Sequence, residues 1–551
     1  MRKNRPYLIL AVLAALLART AHAQEDHQHS HGDTESLGKV NFPTSCHADA
    51  AADFTRAVAL LHSFGYEESR RSFEAVAKKD PGCAMAYWGI AMTWYHPIWS
   101  PPTPSDLSAG KTATGKAMEL GGKTDRERGY IDAVKAFYRD SETVPHDPRA
   151  KAYENAMAEL SRRLPDDHEA TIFYALALLG TAPASDTTYA NQKKAAAILN
   201  GLLPLEPEHP GITHYMIHSF DYPALASDAL PAARTYAKIA PDSPHALHMP
   251  SHIFTRLGLW PESIASNIDS AAAARSLVAR HHPGATSYDA LHALDYLEYA
   301  YLQIGDQEHA RKVLQEAEAA KTFDSAQFQG GYALVAIPAR WALERRDWKA
   351  AAVLEVPDVP MPWDRFMYAP ATTSFARALG SARTGQLDRA RAAVAKLQEI
   401  QAGLAKSPIP GPYDWAANVE SLRLAAAAWV AYAEGKKDEA LRLARAAAEL
   451  DEKTGKHPVT PGAVLPPREL LADMLMESGK PAEALVEYEA SLREAPGRFN
   501  SLAGGARAAE LSKNPARARE LYAKLIEQCV QGSPRPELAE AHRVVGSQKT
   551  S

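Results

Sequence analysis

The chain has 551 residues, 46% of them apolar and 23% charged, with a formal net charge of -5. That length exceeds the roughly 250–300 residues at which a single core stops growing, so it requires several domains or one long repeat array. The acidic balance argues against nucleic acid or an anionic membrane as the main partner, and three cysteines are too few for a disulfide scaffold.

Residues 1–23 read as a secretory signal: basic Arg2, Lys3 and Arg5, an apolar run from Tyr7 to Ala18, then Ala21-His22-Ala23 as a small-x-small cleavage site. Cleavage after Ala23 predicts a periplasmic or secreted protein, and losing Arg2, Lys3, Arg5 and Arg19 takes the net charge from -5 to -9. Gln24, not cysteine, stands immediately after the cleavage site, so no lipid anchor is expected. No later apolar run approaches the roughly 20 residues of a membrane helix. Residues 24–49 read as a flexible segment whose His27, His29 and His31 are suited to delivering metal. Cys46 and Cys83 each stand before or at the start of an expected helix. They are either small half-buried residues or a disulfide pair in an oxidising compartment, with Cys529 left single.

From residue 50 the apolar periodicity is helical almost everywhere, so the chain is expected to be all-α. Residues 50–282 and 283–530 are taken as N- and C-terminal stretches of one continuous helical array, and 531–551 as a polar tail. In CAMAYWGIAMTWYHPIW, Met85, Trp88, Met92 and Tyr95 share a face, with Trp99 just beyond. Such a stripe is either core or an aromatic surface for a guest. Trp88, Met92 and Tyr95, together with Tyr299, are the ligand-binding candidates, and Trp94 is expected to be buried. Residues 98–129, rich in Pro, Gly, Ser and Thr, residues 355–372, EVPDVPMPWDRFMYAPAT, and residues 401–418, which hold SPIPGPYDW, read as insertions long enough to bind or cover something. The stretch AMELGGKT, 117–124, loosely matches a phosphate-binding loop, but a helical run rather than a strand leads into it. There is no HExxH and no GxSxG.

The array is also self-similar. Gly305, Ala310 and Leu314 recur as Gly385, Ala390 and Val394, as Gly435, Ala440 and Ala444, and as Gly479, Ala484 and Tyr488; a last unit spans 500–528 with Ala518 and Tyr522. On these residues, and on FTRAVALLHSFGYEESRRSFEAVAKKDP near the start, the chain resembles the tetratricopeptide repeat family, although Ser69 stands where the family has Ala. Within that family it looks like secreted bacterial members bearing the LLHSF and HALHMPSHIF stretches. The resemblance implies a solenoid, a superhelix of antiparallel helix pairs with a concave groove. It also implies that the groove-facing positions of each first helix lie about thirteen, ten, six and three residues before its turn glycine. Counted from Gly258 these are His245, His248, His252 and Thr255; from Gly305 they are His292, Asp295, Tyr299 and Leu302. His214 and His218, four apart, share a face of the preceding unit. Pro250 falls inside the helix so defined and is expected to kink it.

This supports three readings. The resemblance favours an exported scaffold that holds a peptide, protein segment or small ligand in its groove. The histidines favour a metalloprotein or metal-dependent enzyme using His214, His218, His245, His248, His252, His292 and Asp295 for zinc, copper or nickel. A purely structural protein is the third. Ligand nitrogens converging within about 4–5 Å separate the second reading from the others. As a groove residue, His248 is expected to tolerate Ala with little loss of stability.

Overall fold

Helices make up every long element from Ala51–His62 to Pro536–Gly546, and among the described residues the only β pairing is an isolated bridge between Thr286 and Phe323. The computed structural model describes residues 35–98, 101–183, 185–409, 411 and 413–546. The signal segment, His27, His29, His31 and Trp99 lie outside the described residues. None of the described helices is long and apolar enough to cross a membrane.

Each helix packs mainly on its neighbours in sequence, and first helices also pack on the first helix of the next pair. Tyr288–Gln303 lies against Phe328–Glu344, which lies against Tyr368–Arg383 and, through it, Trp415–Ala433. The turn glycines explain the repetition. Gly258, Gly305, Gly385, Gly435 and Gly479 all hold φ between +69° and +80°, the left-handed conformation that closes one helix and releases the next. Ala310, Ala390, Ala440 and Ala484 are completely buried, so the second helix of each pair approaches the first without a side chain between them. The chain is thus a tetratricopeptide-like helical solenoid of antiparallel pairs.

Several expectations are corrected. Within 98–129, residues expected to loop form the helix Pro104–Leu120. Thr103 and Asp106 make a reciprocal capping box and Pro104 occupies the first turn, which outweighs the weak helix preference of Ser, Thr and Gly. The other two insertions shorten to the loops before Tyr368–Arg383 and between Leu387–Lys406 and Trp415–Ala433. The tail contains a further helix, Pro536–Gly546, which buries Leu538 and Ala541. Leu37 and Phe42, inside the segment read as flexible, are buried; Phe42 stacks on Trp88 with centroids 5.1 Å apart.

Trp88, Met92 and Tyr95 are core residues and line no groove. The helix Ala84–Tyr95 is apolar all round and packs on nearly every side, with only Tyr87, Ile90 and Trp94 half-buried. Trp88 packs edge-on to Tyr130 and Phe173, and Tyr95 packs against Phe137 and Tyr153. Trp94 is only half-buried, beneath the guanidinium of Arg70 at 4.0 Å. Cys46 and Cys83 form a disulfide with Cα atoms 4.9 Å apart. It closes a loop of sequence separation 37, so replacing both with Ser should cost about 3–4 kcal/mol, measurable as a lower urea midpoint.

The apolar interior divides at the turn before Trp260. The largest two cores run from Phe42 to Phe254 and from Trp260 to Ala508, with smaller clusters around Leu37, Ala59 and Leu60 and from Phe499 to Ala541. Beyond this division, the C-terminal half also buries two clusters of ion pairs. Arg340 donates to Asp295 at 2.6 Å and Glu298 at 3.1 Å, and Arg498 donates to Glu344 at 2.7 Å and Glu469 at 3.1 Å, all fully or nearly fully buried. Tyr299 belongs to this network, its hydroxyl accepting from Arg498 at 3.2 Å. It is a buried structural residue rather than a groove contact.

Candidate metal centre

Four short stretches place six histidines together. Pro210–Phe220 carries His214 and His218 one turn apart. Ser243 caps Pro244–His248, which presents His245 and His248, and Pro250–Leu257 presents His252. At Pro250, where a kink was expected, the helix is divided into Pro244–His248 and Pro250–Leu257, joined through Met249 at helical φ and ψ of -55° and -35°. Tyr288–Gln303, capped by Ser287, contributes His292.

The six rings sort into two sets. In the first, His214 Nε2 lies 3.0 Å from His218 Nε2 and 3.0 Å from His245 Nε2. In the second, His248 Nε2 lies 3.0 Å from His252 Nε2, and the His292 ring lies 4.2 Å from that of His248. Within each set one ligand atom from every residue falls within 4.8 Å of the others, the separation that distinguishes converging ligands from dispersed rings. His218 and His245 are half-buried and the other four buried.

Neighbouring groups determine which nitrogen of each ring carries hydrogen. Asn267 donates its amide to Ser263 O at 2.7 Å, which turns its oxygen toward His248; at 2.7 Å that oxygen can only accept, so His248 Nδ1 is protonated. The Asp221 carboxylate fixes the proton of His252 on Nδ1 at 3.0 Å. Burial alone would raise the Asp221 carboxyl, but Lys456, Arg256 and His252 hold it well below the usual carboxylate range. The backbone carbonyl of His62 does the same for His214 at 2.6 Å. Three Nε2 atoms therefore point bare lone pairs into the sets. Burial pushes the imidazoles of His214, His245, His248 and His292 well below 6.5, His252 less far, and His218 to about 3.

With folded pKa values depressed, the unfolded chain binds more protons below about 6.5 than the folded chain does. Stability of metal-free protein should therefore be full above that pH and fall as pH drops from about 6.5 toward 3, as urea midpoints across that range will show.

Asp295 belongs to neither set. It shares a helix face with His292, but its carboxylate is taken by Arg340. His248, expected to be a loosely packed groove residue, is 2% exposed and lies edge-on to Tyr296, so truncating it removes core contacts as well.

Two further groups stand beside the sets, and the LLHSF stretch contributes Phe64 to one and His62 to the other. Phe64 holds φ +53°, strained for a bulky side chain, and its ring lies 4.4 Å from His214 and 5.6 Å from each of His218 and His245. His62, Glu169 and His209 make a third buried cluster, with Glu169 accepting from His62 at 2.9 Å and from His209 at 3.1 Å. Here the other ring nitrogens already accept, from the Tyr215 hydroxyl at 2.9 Å and from Gly211 N–H at 3.1 Å. Every nitrogen is satisfied, and the cluster serves to fix His62, whose carbonyl orients His214.

No family model matches the chain, and no curated protein matches it in sequence. Among solved structures it is similar to a human IFIT1 dimer with m7Gppp-AAAA, at 12% identity and a TM-score of 0.35, over 81% of this chain and 90% of that one. A monomeric mutant of IFIT1 with Gppp-AAAA gives 12% identity and a TM-score of 0.38, over 88% of this chain and 98% of that one. At 12% identity and these TM-scores, neither neighbour bears on the histidines or on the partner of this chain.

Proposed function

We propose that the chain is an exported metalloprotein holding two transition-metal ions side by side, one on His214, His218 and His245, the other on His248, His252 and His292. One observation carries the reading: the bare Nε2 lone pairs of His248 and His252 face each other at 3.0 Å. Two lone pairs at that distance repel unless a cation lies between them, and burial disfavours a proton there. A metal ion about 2.0–2.1 Å from each nitrogen accommodates the same spacing. The first set repeats the pattern, since the single lone pair of His214 Nε2 is approached by two imidazoles.

Three neutral imidazoles suit zinc, copper or nickel, and three protein ligands leave a coordination position open, as in catalytic rather than structural sites. The groups behind the ring nitrogens, Asn267, Asp221 and the His62 carbonyl, are those that fix ligand tautomers in metal sites. The disulfide fits an oxidising compartment and supports export. The scaffold reading has lost its ligand candidates to the core and the buried ion-pair network.

Elemental analysis of untagged protein after mild chelator exchange tests this. Close to two zinc, copper or nickel ions per chain are expected, falling to about one in His218→Ala. A chain that carries no metal and takes none up on reconstitution would refute the proposal.

A further inference from the structure

All six ligands proposed above are neutral, and the charges around them are mostly positive. Asp221 is already engaged by Arg256 at 2.7 Å, and Lys456, whose pKa burial and Arg256 push down to about 7, sits 3.9 Å from the same carboxylate and donates to the carbonyls of Pro458 at 3.1 Å and Thr460 at 2.8 Å. Two divalent ions would thus bring four positive charges into a largely buried space that offers no anionic ligand, an arrangement whose desolvation cost demands compensation. The two sets are also close together. His245 and His248 stand three residues apart on the same short helix, with ring centroids 6.5 Å apart. The half-buried rings, His218 and His245, both belong to the first set, so solvent approaches the pair from that side.

We infer that the two sites, on the metal reading above on which this rests, act as one receptor for a small inorganic anion such as hydroxide, which enters past His218 and His245 and is shared between both ions. The anion supplies the negative charge that the protein withholds, and its occupancy of both open positions makes the pair a single binding unit.

Azide is a suitable probe, added to copper(II)-loaded protein and followed by the azide-to-copper absorption band. One azide per two coppers is expected, with saturation at a single affinity. His218→Ala, which is expected to keep only the second copper, should bind azide at least ten-fold more weakly. Two independent azides per chain, no azide bound, or undiminished affinity in His218→Ala would each overturn the shared site while leaving the metal count intact. Protein that takes up no copper would instead fail at the earlier step.

Discussion

Replacing Arg498 with Met should destabilise the protein by about 3–5 kcal/mol, the largest single-residue effect expected outside the histidines. Its guanidinium is fully buried and touches Glu344, Glu469 and the Tyr299 hydroxyl. Removing it strands two carboxylates where water cannot reach them. Asn500 and Ser501, which donate to Glu344 at 2.8 Å and Glu469 at 2.6 Å, compensate only in part. The loss should be read as a drop in the urea midpoint at unchanged slope. Replacing Arg498, Glu344 and Glu469 together with apolar residues of similar volume should recover most of it, because the cost arises from the unpaired charges and not from the missing arginine. A triple variant as unstable as the single one would contradict this.

The second large effect concerns metal. At a free metal concentration 1,000-fold above Kd, each occupied site adds about 4 kcal/mol to stability, so stripping both ions should lower the unfolding temperature markedly. His248→Ala should abolish the response of the second site and, unlike a surface change, should also destabilise the metal-free protein by about 1–3 kcal/mol through loss of the Asn267 bond and the contacts with Tyr296 and His292. Thermal scans of wild type and variant, with and without chelator, separate the two contributions. Equal midpoints in all four conditions would show that these rings neither bind metal nor matter to packing.

The histidine sets were legible because residues that share one face of a helix obey the helical period. His214 and His218, and His248 and His252, recur at four residues, and counting back from Gly258 and Gly305 placed His245, His248, His252 and His292 on one face, whereas the unit of His214 and His218 has no turn glycine to count from. Asp295 was misread because the period gives a face but no partner. Arg340, which claims its carboxylate, lies 45 residues away in sequence. Trp88, Met92 and Tyr95 fit the spacing of a ligand face equally well, and only the apolar surround of Ala84–Tyr95 showed that these three are enclosed. The contributions of His62, Glu169 and Phe64 were hidden for a different reason. His62 orients His214 through a backbone carbonyl, which any residue type could supply.

The division of the interior at Trp260 has a consequence for how the molecule is held together. Five of the six histidines stand on segments ending at Leu257, whereas His292 stands on Tyr288–Gln303, beyond that division. An ion in the second set would therefore add a removable staple across a seam that is otherwise bridged by hydrogen bonds such as His248 to Asn267 and Thr255 to Ser263. The first set would be complete within a fragment that stops before the seam. Supply of metal would then govern not only chemistry at the centre but the stiffness of the solenoid at its midpoint, with one ion belonging to a half and the other to the whole.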